Sequence, residues 1–294
     1  MSQPGLIEGR VVAAHGRQYF VQLADGSLLP CFTRGKKSDV ACGDRVDIKQ
    51  TAPDQGVIEA IQPRSSLLYR SNEVKQKLIA ANVDQLVIVV ATEPGFSDEL
   101  VTRALIAAES EEIEVLIVLN KCDLADKLPI ARERLKMFAA LDYRVLELSA
   151  LEHAEDLRPA LHGKTSVLVG QSGMGKSTLV NALFPEARAA TREISAALDS
   201  GKHTTTHATL YNLDADSQLI DSPGLQEFGL GHLNTQEIEH AFREFRPYLG
   251  QCRFRDCRHN REPDCALSAA VNAGKIEEKR FATYHRIMGT LRPG

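Results

Sequence analysis

The sequence predicts a multidomain chain: a small β-barrel over residues 1–68, an α/β domain over 69–229, and a helical lobe over 230–294 built round a Cys/His cluster. Three observations carry this reading. Five short strand-like runs fill roughly the first sixty residues, strand and helix periods alternate from Asp84 onward, and three cysteines and a histidine crowd between Cys252 and Cys265. With 294 residues, 43% of them hydrophobic and 25% charged, the chain has apolar mass for a substantial core, and its length suggests roughly two domains.

The opening MSQPGLIEGR has no apolar h-region, and no apolar run approaches about 18 residues, so the expectation is a cytoplasmic protein without membrane contact. Six cysteines in a chain of this length do not make a disulfide scaffold. The net charge of -4 is uneven: residues 1–70 carry +2, residues 250–294 carry +4, and residues 71–249 carry -10. Polyanion contacts therefore fall to the ends of the chain.

In order, the barrel strands are Glu8–Val12, Gln18–Leu23, Ser27–Cys31, Arg45–Ile48 and Gly56–Ile61, separated by Asp25-Gly26, Gly43-Asp44 and Pro53–Gly56. Five such strands suit a small closed barrel of the oligonucleotide-binding (OB) type. The loop Thr33-Arg34-Gly35-Lys36-Lys37 is its most basic part and reads either as a phosphate contact or as solvated surface.

After the polar stretch Arg70–Gln76 the period changes. Asp84–Val90 is a buried-strand run, and Asp98–Glu111 has helical spacing. Ile113–Leu119 and Arg144–Leu148 are further strands around a helix at Leu128–Leu141, a short helix lies in 151–163, and Thr165–Val169 is a fourth strand. Such alternation means βα units on a parallel sheet.

Next comes Gly170-Gln171-Ser172-Gly173-Met174-Gly175-Lys176-Ser177, followed by a helix from Thr178. It matches G-x-x-x-x-G-K-[ST], a loop whose backbone N–H groups cradle phosphates at a helix N-terminus. The glycines allow close approach of the amides, Lys176 neutralises the β- and γ-phosphates, and the Ser177 hydroxyl ligates Mg2+.

Two short signals stand at strand C-termini, where open α/β sheets bind ligands. Asn120-Lys121-Cys122-Asp123 follows Ile113–Leu119. A carboxylate at Asp123 accepts from guanine N1–H and N2–H2 together, which adenine does not reproduce, while Asn120 and Lys121 brace the loop and cover the base. Ser149-Ala150 follows Arg144–Leu148, where small residues bring backbone to the base edge. The nucleotide is thus read as GTP or GDP.

Downstream, Gly201-Lys202-His203-Thr204-Thr205-Thr206-His207 is a polar loop suited to a switch that orders around a γ-phosphate and its Mg2+. Thr205 is the chosen ligand, with Thr204 and Thr206 as alternatives. Asp221-Ser222-Pro223-Gly224 is a D-x-x-G run in which Asp221 holds Mg2+ through water and the Gly224 amide senses the γ-phosphate. Residue 225 is Leu, with Gln226 one step later, and an aliphatic side chain cannot orient water. His203 is the best local group for that role, since a neutral imidazole accepts a proton near pH 7. The alternative is a plain loop histidine.

The last signal is Cys252-x4-Cys257-x-His259-x5-Cys265, in an Arg-rich segment. Three thiolates and an imidazole complete a closed tetrahedral Zn2+ site with no open position, so the metal is structural. Gly274–Met288 then reads as a charged amphipathic helix.

The order of motifs is a circular permutation. In the usual arrangement the phosphate loop comes first and the guanine signals last, but here NKCD and SA precede GQSGMGKS, GKHTTT and DSPG. The D-x-x-G switch then runs almost directly into residues 230–294, so nucleotide state could pass to the zinc lobe.

With these motifs in this order, the chain resembles the bacterial ribosome small subunit-dependent GTPase A proteins, the RsgA type. The likeness covers nearly the whole sequence: barrel, NKCD, GQSGMGKST, GKHTTTH, DSPG and the CX4CXHX5C lobe. The resemblance implies an OB-type N-terminus and a GTPase that acts late in small-subunit (30S) maturation. It further implies 16S rRNA binding, stimulation of hydrolysis by the subunit, and use of His203 in hydrolysis. The basic loop RGKKSDVACGD is shorter than the resemblance implies. The reading is therefore a monomeric GTP hydrolase with GTP/GDP, Mg2+ and one Zn2+, whose partners are the small subunit and its rRNA. The alternative is an RNA-binding assembly module that uses GTP mainly as a structural ligand.

Overall fold

The computed structural model describes residues 5–15, 17–35, 39–72, 75–185, 208–222 and 228–291. Strands β1 (Ile7–His15), β2 (Gln18–Leu23), β3 (Leu28–Thr33), β4 (Arg45–Ala52) and β5 (Gln55–Ile61) form the expected barrel. Their order is β1-β2-β3-β5-β4, and β4 closes it by pairing back on β1 at Ile7↔Ile48. Only β3 and β5 run parallel, the five-strand arrangement of an OB barrel. Val11, Tyr19, Val21, Val46 and Ile48 fill its interior.

The polar stretch Arg70–Gln76, for which the sequence predicts no element, is paired. It belongs to a hairpin of β6 (Leu67–Asn72) and β7 (Lys75–Ala81), which Cys42 of the barrel joins through a bridge to Ala80.

The central domain holds β8 (Gln85–Ala91), α1 (Asp98–Ser110), β9 (Glu114–Asn120), α2 (Leu128–Ala139), β10 (Arg144–Glu147), α3 (Arg158–Leu161), β11 (Thr165–Val169), α4 (Lys176–Leu183), β12 (Thr209–Asn212) and β13 (Gln218–Asp221). The sheet order is β10-β9-β8-β11-β13-β12, parallel except for β12. Every residue of β8 and β11 is buried, which is why both read as continuous apolar runs. The chain leaves β8 towards β9 and β10, then returns to β11 on the other side of β8, so the C-terminal ends of β8 and β11 flank a topological switch point. On its far edge β12 pairs with β1 at Ala13↔Thr209, which fuses barrel and α/β sheet into one run of 11 strands.

The C-terminal lobe contains α5 (Thr235–Ala241), α6 (Ala266–Asn272) and α7 (Glu278–Leu291). Helix α7 begins later than the sequence suggested, because the chain first turns through Gly274 at φ 67°. Phe242, Phe245 and Tyr284 form its aromatic centre. The lobe is fastened to α1 by charged side chains: buried Arg280, paired with Glu244 at 2.7 Å, donates to Thr102 Oγ1 at 2.8 Å, while the half-buried Arg243 and the exposed Arg246 both hold Glu109.

Candidate nucleotide site and metal centre

Two glycines of the phosphate loop answer to close contacts that a Cβ would violate. Gly170 leaves β11 at φ 149°, where a Cβ would stand 2.3 Å from the Val89 carbonyl oxygen. Gly175, at φ 90°, is the N-cap of α4, and a Cβ there would meet Asn120 Nδ2 at 2.2 Å. Met174 is buried beneath the loop, while Ser172, Gly173 and Ser177 face solvent and Thr178 is half-buried. The first turn of α4 so offers its unpaired N–H groups to the loop.

Lys176 folds back over this loop, its Nζ donating to the carbonyl oxygens of Gly170 (2.6 Å) and Gln171 (2.8 Å). Burial lowers its pKa, and Asp221 at the end of β13 acts against that. Burial in turn pushes the Asp221 carboxyl up to about 6, with Lys176 opposing. An ammonium and a carboxylate thus share a poorly solvated floor, which a phosphate and a cation would each complement.

Asn120 ends β9 and ties three loops together. Its Nδ2 donates to Met174 O (2.9 Å), and its Oδ1 accepts from the N–H groups of Lys121 and Ala150, both at 2.8 Å. Lys121 adopts φ 62°, and its Nζ donates to Glu93 O at 2.8 Å. The Cys122 N–H donates to Leu148 O, which sets NKCD beside the loop carrying Ser149 and Ala150. Asp123 is exposed beyond it. Ser149 is buried, and its Oγ has no hydrogen-bond partner among the described residues. Gln171 directs its side chain to α1, where Oε1 accepts from the Ser97 N–H at 2.8 Å.

The strand ends thus bring together Asn120–Asp123, Ser149, Ala150, Gly170–Thr178 and Asp221. Thr204, Thr205, Thr206, His203, Gly224, Leu225 and Gln226 lie outside the described residues, as do Lys36 and Lys37 of the basic barrel loop. Arg34 of that loop is paired with Glu59, so its charge is partly spent.

In the C-terminal lobe, one donor atom from each of Cys252, Cys257, His259 and Cys265 lies within 4.8 Å of all the others. His259 Nδ1 is 3.5, 3.6 and 3.3 Å from the sulfurs of Cys252, Cys257 and Cys265. A tetrahedral Zn2+ sets such atoms about 3.6–3.8 Å apart, so the donor set fits that ion. The other ring nitrogen of His259 faces Glu239 Oε1 at 3.4 Å, and Tyr284 OH donates to the same oxygen at 2.9 Å. A carboxylate behind a ligating histidine fixes its tautomer. Glu239 escaped the sequence reading because it lies outside the Cys/His spacing and only the packing of α5 brings it near.

A phosphate loop at the β8/β11 crevice, with the base-side signals upstream of it, defines a circularly permuted P-loop nucleoside triphosphatase. The family model described as RsgA GTPase matches residues 61–231. Two curated relatives are named small ribosomal subunit biogenesis GTPase RsgA. That of Nitrosospira multiformis is 53% identical over 97% of this chain and 91% of its own length, and that of Burkholderia pseudomallei 57% over 96% and 91%. YjeQ from Thermotoga maritima superposes with a TM-score of 0.74 at 32% identity, covering 97% of this chain and 98% of its own. YloQ, described as a circularly permuted GTPase, does so at 0.71 and 26%, covering 100% and 99%. The chain belongs to the RsgA GTPase family and is a GTP hydrolase.

Proposed function

We propose that this GTPase acts in late maturation of the small ribosomal subunit, binds 16S rRNA, and hydrolyses GTP to GDP and phosphate with stimulation by that subunit. The observation that carries the nucleotide half is Asn120, whose hydrogen bonds join the phosphate loop, NKCD and the Ser149-Ala150 loop into one site. In this reading Asp123 selects guanine, the loop amides and Lys176 hold the phosphates, and Ser177 and Thr205 ligate Mg2+. Asp221 acts on the ion through water, and the Gly224 amide meets the γ-phosphate. Mg2+ would supply charge neutralisation between the β- and γ-oxygens. His203 orients the attacking water, because Leu225 cannot.

The ribosomal half is supported by the relatives' names and by the exposed Arg253, Arg255, Arg258 and Arg261 around the cysteine cluster. The Zn2+ has a structural part. The division at residues 68 and 229, the monomeric state and the cytoplasmic location belong to the same proposal. GTP turnover with and without purified small subunits at low salt tests it. A strong rise in kcat is expected, and no rise would leave the RNA-binding module with structural GTP as the better reading. His203→Ala should abolish the stimulated rate, and an unchanged rate would remove His203 from the mechanism.

A further inference from the structure

Helix α1 begins with half of a capping box. Ser97 is its N-cap, and the Ser97 hydroxyl accepts from the Leu100 N–H at 3.3 Å. In a complete box the side chain at the third helical position reaches back and accepts the N-cap's own N–H, which needs Glu or Gln there. The third position of α1 is Leu100, which has no acceptor. The Ser97 N–H is nonetheless paired, at 2.8 Å, by the side chain of Gln171, the second residue of the phosphate loop and 74 residues away in the chain.

Apart from Lys176 Nζ on the Gly170 and Gln171 carbonyls, the phosphate loop is pinned at its two ends. Gly170 leans on Val89, and Met174 is held by Asn120. Gln171 lies on the limb between them, and its carbonyl oxygen is one of the two that receive Lys176 Nζ. Anchoring its side chain therefore restrains both the rising limb of the loop and the lysine seated on it. The acceptor is an amide, which brings no negative charge to a phosphate site; a glutamate could make the same bond only by adding one.

We infer that Gln171 is a positioning residue for nucleotide binding: it completes the cap of α1 from outside the helix, and the bond to Ser97 holds the phosphate loop in its phosphate-accepting shape. Restraint of that kind lowers the ordering cost of binding, so its loss weakens GDP and GTP alike. The inference rests on the nucleotide reading of GQSGMGKS.

The test is a double-mutant cycle on the full-length protein, read as Kd for fluorescently labelled GDP and for a non-hydrolysable GTP analogue. Gln171→Met keeps length and removes the strong acceptor, and Ser97→Pro removes the donor. Each should weaken both nucleotides about five-fold, the worth of one hydrogen bond, and the double variant should lose no more than either alone. Ser97→Ala keeps the N–H and loses only the hydroxyl cap, so it should lower the melting temperature and leave both Kd values near wild type. Losses that multiply in the double variant, or variants that bind like wild type, overturn the inference while leaving the nucleotide reading intact. A wild-type protein that fails to bind GDP overturns both. If Ser97→Pro does not fold, hydrogen exchange decides: the Ser97 amide must exchange faster in Gln171→Met, and unchanged exchange rejects the role.

Discussion

Asn120 Nδ2 donates to the carbonyl oxygen of Met174 at 2.9 Å, so the Asn120–Asp123 loop and the phosphate loop, 54 residues apart in sequence, share one buried side chain. Asn120→Ala strands that carbonyl together with the Lys121 and Ala150 N–H groups. A buried group left unpaired costs about 1–3 kcal/mol. The variant should lose about 3 kcal/mol in urea denaturation, and its GDP affinity should fall at least about ten-fold because two walls of the site separate. Wild-type affinity in the variant would show that the loops are held by other contacts.

Asp221 gives the nucleotide-free protein a pH signature. Its carboxyl titrates near 6 when folded, against 3.8 ordinarily, because of burial. A raised acid binds its proton more tightly in the folded state, so stability falls as pH rises from about 4 to 6, and the full cost stands above pH 6. The size is of the order of 3 kcal/mol. Asp221→Asn should gain stability over wild type progressively through that window and hold a constant advantage above it. Urea midpoints of both proteins at half-unit pH steps measure this; a pH-independent difference would contradict the buried carboxyl.

The Cys/His cluster should carry one Zn2+ per chain by elemental analysis. Cys257→Ser or a strong chelator should unfold the lobe around it, read as loss of near-UV signal and faster proteolysis within residues 250–266. Glu239→Gln should weaken zinc affinity about 10- to 100-fold, since Glu239 Oε1 stands 3.4 Å behind the His259 imidazole. Equal affinity in the two proteins would reduce the Glu239 contact to packing.

Arg280 and Glu244 are both almost fully buried where the C-terminal lobe meets α1. Arg280→Met leaves a buried carboxylate without its partner and should cost about 3–5 kcal/mol. Arg280→Met combined with Glu244→Leu should recover much of that loss. Thermal melts of the three proteins distinguish a required charge pair from a replaceable one.

The sequence by itself determined the parts and their order. Apolar runs at Asp84–Val90 and Thr165–Val169 identified buried parallel strands, because a strand covered on both faces has no polar side to show. The phosphate loop was legible because its function demands glycines and one lysine at fixed spacing, and the cysteine cluster because a tetrahedral ion demands four donors. Their succession sufficed to reveal the permutation. Tertiary structure alone decided the contacts made by residues distant in the chain. The hairpin at Leu67–Ala81 escaped the sequence reading because its polar stretch Arg70–Gln76 shows neither an apolar run nor a clear period. The pairing of β1 with β12, Glu239 behind His259, Arg280 against Thr102, and Gln171 capping α1 each depend on backbones brought together across the fold. A motif records what one stretch must do for its ligand. The choice of partner for a buried N–H is made by whichever acceptor the packing delivers, and at Ser97 that acceptor comes from the phosphate loop itself.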